Sequence, residues 1–224
     1  MTKHLAAAVA THAGCVRAAN EDAFVASTTA GVWAVADGLG GHRDGASASR
    51  RVCAALGGFD PDAPLDTIVI AVRERLATLN AELIDAASQR DDGECSASTV
   101  VILIARDRHA ALLWAGDSRA YRWRGGVLEP RTRDHRPSPA DIHAVTRAVG
   151  ADETLTLDVV RDELHDGDRF LLCSDGLTQV VSEAEIRTAM AAPQMTGIAD
   201  ALVNAALTAG APDNVTAVVV EVLL

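Results

Sequence analysis

Aromatic side chains are scarce in this 224-residue chain, 3% of the total with one Tyr, three Phe and three Trp. Ala, Val and Leu must therefore do most of the packing. A hydrophobic content of 49% is enough for a sizeable core without disulfides or a structural metal. Cysteine is also sparse. Cys15, Cys53, Cys95 and Cys173 lie far apart, with no CxxC pair and no Cys/His zinc spacing, which argues against a disulfide framework or a zinc module. Cys53 and Cys173 sit in apolar surroundings and read as small core residues. Basic residues are outnumbered, 20 Lys and Arg against 31 Asp and Glu, a net charge of −11. That balance speaks against wide contact with nucleic-acid phosphates and against an anionic membrane face. The apolar stretch after Met1-Thr2-Lys3-His4 stops at Thr11-His12, too short to span a bilayer and poor as a signal peptide. A cytoplasmic, monomeric protein is expected. No Ser/Gly/Pro-rich tract divides the chain, so residues 1–224 read as one domain.

Short apolar runs bounded by Gly, Asp or Asn predict strands over Ala6–Ala10, Ala23–Ser27, Val32–Ala36, Thr99–Ala105, Ala110–Ala115, Ala120–Trp123, Leu155–Val160, Arg169–Cys173 and Thr216–Leu223. Spacing of three and four predicts helices over Gly45–Leu56 and Leu65–Ala87. Two more are expected over Ser182–Met190, with Ser182 and Glu185 as a capping box, and over Thr196–Ala209, stopped by Gly210. Runs of strands with segregated helices point to α+β with antiparallel sheets.

Five aspartates fall at strand edges. Asp37, Asp117 and Asp175 follow near-continuous apolar runs, while Asp22 and Asp213 stand before strands. A single Asp at such a place usually makes a turn. Several at one edge would repel each other unless a cation neutralised them, and all-oxygen ligands suit Mg²⁺ or Mn²⁺. Gly38 could bring its carbonyl up to an ion. Two such ions can activate one water toward phosphorus, and Arg17 is a candidate donor to the phosphate oxygens. Spacing alone leaves a Ca²⁺-binding module open.

At these residues the chain resembles the PPM family of metal-dependent type 2C protein phosphatases in its compact bacterial form. Gly14-Cys15-Val16-Arg17-Ala18-Ala19-Asn20-Glu21-Asp22, Val35-Ala36-Asp37-Gly38-Leu39-Gly40-Gly41-His42, Gly116-Asp117-Ser118-Arg119-Ala120-Tyr121, Thr132-Arg133-Asp134-His135, Leu171-Leu172-Cys173-Ser174-Asp175-Gly176-Leu177 and Asp213-Asn214-Val215-Thr216 follow the family's motifs in order. The resemblance implies a four-layer α-β-β-α sandwich of two antiparallel sheets flanked by helix pairs. It implies hydrolysis of phosphoserine and phosphothreonine in proteins by a water or hydroxide bridging two Mn²⁺ or Mg²⁺ ions. Asp22, Asp37, the Gly38 carbonyl, Asp175 and Asp213 would hold that pair, partly through waters; Asp117 with Asp175 would hold a third ion; Arg17 would bind the phosphate. Implied partners are phosphoprotein substrates of a cognate Ser/Thr kinase, including forkhead-associated-domain proteins of the kind that control type VI secretion.

The chain departs from the family pattern in three places. Leu39 stands where human-type members carry a His proposed as general acid, and His42 is not assigned that role. Between Asp134-His135-Arg136 and Thr146-Arg147-Ala148-Val149-Gly150 only nine residues intervene, Pro137 to Val145, so the flap (about 136–147) is expected to be short or absent. Ala97-Ser98-Thr99 replaces Gly-[ST]-Thr, with no loss of chemistry expected. Alternatives are a catalytically idle regulatory member, a small-molecule phosphatase and, last, a Ca²⁺-binding protein.

Overall fold

The computed structural model describes residues 4–40, 44–89, 96–137 and 145–223. Twelve strands are present in this part of the chain: β1 (His4–His12), β2 (Ala23–Ser27), β3 (Val32–Ala36), β4 (Gly38–Leu39), β5 (Ala97–Ser98), β6 (Val100–Arg106), β7 (His109–Ala115), β8 (Arg119–Arg124), β9 (Val127–Pro130), β10 (Asp158–Glu163), β11 (Arg169–Cys173) and β12 (Val215–Leu223). Five helices accompany them: α1 (Asp44–Ala55), α2 (Leu65–Ser88), α3 (Asp175–Thr178), α4 (Glu183–Met190) and α5 (Ile198–Thr208). One five-stranded sheet has the order β1-β12-β11-β8-β9 and the other β10-β7-β6-β3-β2, with β4 and β5 as a small separate pair. Every strand pairing is antiparallel.

Alternation along the strands sorts side chains into three apolar layers. In β6, Val101, Leu103 and Ala105 face the other sheet, where they meet Phe170 and Leu172 of β11 and Val218, Val220 and Val222 of β12. Val100, Ile102 and Ile104 turn the opposite way and pack with α1 and α2 through Val52, Val72 and Leu76. Leu171, Cys173, Val215 and Val219 cover the other outer face, against Leu177, Ile186, Met190 and Leu202 of α3, α4 and α5. Three apolar layers between four tiers make the expected α-β-β-α sandwich. Each fully buried Leu or Val contributes about 1.5–3 kcal/mol of transfer free energy. Small Ala and Val side chains fill this core where aromatics are few.

Because both faces of the inner strands are covered, β3, β6 and β11 are buried at every position. Edge strands behave otherwise: β2 and β10 alternate between partly buried and exposed. The expectations for Ala23–Ser27, Val32–Ala36 and Arg169–Cys173 match at both ends. The strand expected over Leu155–Val160 lies instead at Asp158–Glu163, since Leu155 and Leu157 pack into the α1/α2 layer ahead of the strand. Strands β4, β5 and β9 and helix α3 were not expected. Helix α2 buries Ile68, Val69, Val72, Leu76, Leu79 and Leu83 as its periodicity requires. Helix α4 carries the capping box, with Ser182 Oγ accepting from the Glu185 N–H and Glu185 accepting from the Ser182 N–H.

Candidate metal centre

A cleft of about 220 Å³ opens where the two sheets end, lined by Arg17, Glu21, Asp37, Gly38, Leu39, Asp117, Val145, Asp175, Gln179 and Asp213 among others. Strand ends from both sheets therefore deliver Asp37, Asp117, Asp175 and Asp213 to one place. Asp22 stands behind them and is not part of the lining.

The backbone of Asp37 is held on both sides. Its N–H donates to Thr99 Oγ1 at 3.2 Å, and its carbonyl accepts from the Thr99 N–H at 2.9 Å and from Ser98 Oγ at 3.0 Å. Thr99 Oγ1 also meets Ser118 Oγ at 2.8 Å, which ties the end of β3 to the turn carrying Asp117. Gly116 has a φ of +112°, and a Cβ there would stand 2.6 Å from Thr99 Cβ; only glycine fits. Gly38 is a glycine for a packing reason: a Cβ would lie 2.3 Å from the Gly45 carbonyl oxygen at the start of α1. Ala97 pairs with Leu39 in the β4–β5 ladder, so the Ala variant of that motif is accommodated.

Asp22 is partly buried. Its Oδ2 accepts from Ser174 Oγ at 2.8 Å and Thr216 Oγ1 at 2.6 Å, while its Oδ1 is sealed from solvent with no partner among the described residues. Asp175 opens α3 and its Oδ2 accepts from Gln179 Nε2 at 2.6 Å. Asp213 Oδ2 accepts from Arg17 Nη2 at 2.7 Å. Asn214 fastens the loop that carries Arg17: its Oδ1 accepts from the Glu21 N–H at 2.8 Å, and its Nδ2 donates to the carbonyls of Ala13 and Ala19 at 3.0 and 2.9 Å.

Burial is the first cause that raises these carboxyls. Asp22 is pushed up to about 7 and Asp175 to about 6. Asp37 is raised well above the carboxylate range by burial, then by the charges of Asp22, Asp175, Asp117 and Asp213. Carboxyls buried this near to one another can all be charged only with added positive charge. Among the described residues no three acidic, His or Cys side chains form a closed metal shell. Protein donors hold the carboxylates instead: Arg17 on Asp213, Gln179 on Asp175, and Arg136 on both Asp117 and Asp175.

All the candidate residues except Asp22 thus line the cleft, and Asp22 joins through Ser174 and Thr216. Ser174, Thr216, Asn214, Gln179 and Arg136 have roles that sequence reasoning did not assign, although the first three lie inside the quoted motifs. His42 and residues 138–144 of the flap segment lie outside the described residues. The described ends of that segment are joined, with the Thr146 N–H donating to the His135 carbonyl at 2.8 Å.

Two five-stranded antiparallel sheets with four aspartates gathered at one cleft define an α+β sandwich with an acidic site. The family model for protein phosphatase 2C matches residues 15–210, and the chain belongs to that family. It is 34% identical to the serine/threonine protein phosphatase PstP of Mycobacterium tuberculosis, over 94% of this chain and 43% of that protein; it spans less than half of that relative's length. Among solved structures, PppA, described as a key regulatory component of T6SS in Pseudomonas aeruginosa, superposes with a TM-score of 0.93 at 40% identity, covering 98% of each chain. The catalytic domain of PstP, solved in complex with two manganese ions, superposes with a TM-score of 0.87 at 33% identity over 100% of both chains.

Proposed function

We propose that this chain is a single-domain, metal-dependent protein serine/threonine phosphatase, active on phosphoserine and phosphothreonine. The observation that carries the reading is a shortage of positive charge at one place. Elsewhere, buried aspartates are matched to arginine, as Asp168 is to Arg124. Asp22 and Asp37 have no ion pair among the described residues, yet four carboxylates crowd around Asp37. The residues present fit a pair of hard divalent ions. The donors are all oxygen, and the enclosed Asp22 Oδ1 is an acceptor waiting for a proton donor or a cation. Asp37, the Gly38 carbonyl, Asp175 and Asp213 would hold the ions, with Asp22 acting through bound water. Mn²⁺ or Mg²⁺ bound there would supply a water activated at neutral pH and would neutralise charge on the phosphate.

Arg17 binds the substrate phosphate in this reading. Its side chain is 57% exposed at the mouth of the cleft, and an exposed ion pair contributes only about 0–1 kcal/mol. The guanidinium can therefore leave Asp213 for a phosphate, whose oxygens match its two-pronged geometry. A cation held by Asp213 would weaken its hold on Arg17 further. No histidine is assigned as general acid, and Leu39 lines the cleft where one would stand.

The substrates we infer are phosphoproteins of a cognate Ser/Thr kinase in the cytoplasm. The likeness to PppA over 98% of the chain supports a regulatory role of the T6SS kind; forkhead-associated-domain proteins are the substrates we infer for it. No helix among the described residues is long and apolar enough to cross a membrane. The short span between His135 and Thr146 supports a reduced flap and an open cleft.

The test is hydrolysis of a phosphothreonine peptide with Mn²⁺, Mg²⁺ or chelator. Turnover should require the metal and vanish with chelator, and Arg17→Ala should raise KM roughly tenfold with a smaller change in kcat. Metal-independent turnover overturns the reading, and an unchanged KM removes Arg17 from the site.

A further inference from the structure

We propose that Arg136 is a built-in cation at the Asp117–Asp175 pair, standing where a third divalent ion was expected, so that the centre takes up two ions per chain. This rests on the two-ion reading above. Arg136 Nη2 donates to Asp117 Oδ2 at 2.8 Å, and Nε reaches the same oxygen at 3.1 Å. The same Nη2 lies 3.4 Å from Asp175 Oδ2. One nitrogen thus bridges the two carboxylates that a third ion would have to share.

The guanidinium is fixed, not a stray surface group. Its side chain is 10% exposed. The preceding residue, His135, is locked to the residue before Asp117: the His135 N–H donates to the Gly116 carbonyl at 3.0 Å, and the Gly116 N–H donates to His135 Nδ1 at 3.1 Å. The His135 ring also stacks on Trp114, with centroids 6.0 Å apart and planes 8° from parallel. Trp114 Nε1 in turn donates to the Arg133 carbonyl at 2.9 Å. These contacts set Arg136 opposite Asp117 through the backbone, before any charge acts.

Arg136 is not needed by its other acidic neighbour. Asp134 is already engaged by both arms of Arg119, at 2.8 Å each, and lies 3.6 Å from Arg136 Nε. The positive charge of Arg136 is therefore directed at Asp117 and Asp175. A guanidinium cannot shed its proton in a protein, so it cannot make room for a metal by becoming neutral. A divalent ion sharing those two oxygens would stand in direct repulsion with it, in a pocket where water screens little. Gln179 and Arg136 both use Oδ2 of Asp175, which leaves its Oδ1 for the two-ion centre.

The experiment is a count of bound Mn²⁺ by calorimetric titration and by electron paramagnetic resonance, carried to millimolar metal. Wild type should bind two ions per chain. Arg136→Ser should bind a third, weaker ion, while Arg136→Lys, which keeps the charge, should stay at two. Three ions in wild type, or only two in a folded Arg136→Ser, overturns the proposal. If Arg136→Ser fails to fold, Arg136→Gln, which removes the charge and keeps much of the length, takes its place and should bind the third, weaker ion; only two ions in a folded Arg136→Gln overturns the proposal. Zero or one ion in wild type overturns the two-ion reading itself.

Discussion

Two sets of aspartates in this molecule are desolvated, and they are neutralised differently. Around β8 and β10, Asp162 receives Arg122 at 3.0 Å and Arg131 at 2.7 Å, and the fully buried Asp168 receives both arms of Arg124 at 2.6 Å. At the cleft, Asp22 is held by two hydroxyls and Asp37 is surrounded by other carboxylates. Asp162 also has one enclosed oxygen without a partner, so an orphaned atom alone does not separate the two sets. Charge does. A buried carboxylate persists only with a counter-charge. Where the chain supplies it, the pair is permanent and structural. Where it does not, the counter-charge must come from solution, and the site becomes loadable. Arg136 stands on the border between the two solutions.

The sharpest way to break this comparison is to remove one carboxylate from each set. Asp37→Asn should lower turnover by at least about a thousandfold, because a divalent ion contributes several kcal/mol to stabilising the reacting phosphate. Circular dichroism should show the fold unchanged, and a near-normal rate would mean Asp37 is no ligand. Asp168→Ala should do the reverse. Stranding Arg124 should lower stability by about 3 kcal/mol in urea unfolding, while turnover per folded molecule stays within a few-fold. A stable but inactive Asp168→Ala would erase the distinction.

A smaller effect concerns pH in the presence of chelator. Asp22 and Asp175 are raised in the folded state to about 7 and about 6, above the unfolded value near 3.9. The folded chain therefore binds protons more tightly. That contribution to stability is full below pH ~4 and is lost as pH rises through 6 to 7. Calorimetry should show Tm falling by a few degrees from pH 5 to 8 in chelator, and by less in saturating Mn²⁺. An equal fall in both would mean that the metal does not relieve the repulsion.

The parts of the fold that could be read in advance were those with a plain apolar pattern, continuous in β3, alternating in β2 and helical in α2. β3, β7 and β11 carry near-continuous apolar runs that stop within two residues of an Asp. β9 was invisible because it is a four-residue edge strand with only two apolar residues before Glu129 and Pro130. β10 was misplaced because two leucines outside it are more apolar than its own alternating Asp158-Val159-Val160-Arg161-Asp162-Glu163. Asp37 and Asp175 were legible as Asp-Gly turns at strand ends, Asp117 by the apolar run before it, and Asp22 and Asp213 by the strands that follow them. Their supports were not. The hydroxyls of Ser174 and Thr216 matter only because Asp22 lies between them, 152 and 194 residues away in the sequence. Likewise, Arg136 follows a motif as any surface arginine might, and its bridge between Asp117 and Asp175 exists only after His135 docks on Gly116.

The pairing of β1 with β12 along all nine residues also bears on how the protein is made. Its first strand is synthesised early and must wait for the last one to find its partner. Arg17 and Asp213, 196 positions apart, cannot meet until the C-terminal strand emerges from the ribosome. At about 5–20 residues per second, that wait lasts about 10–40 seconds. By the end of it the nascent chain has most of its apolar strands but no assembled cleft. The cleft therefore cannot assemble before β12 has been made, and a chain cut short before β12 should have neither a completed sandwich nor a metal centre.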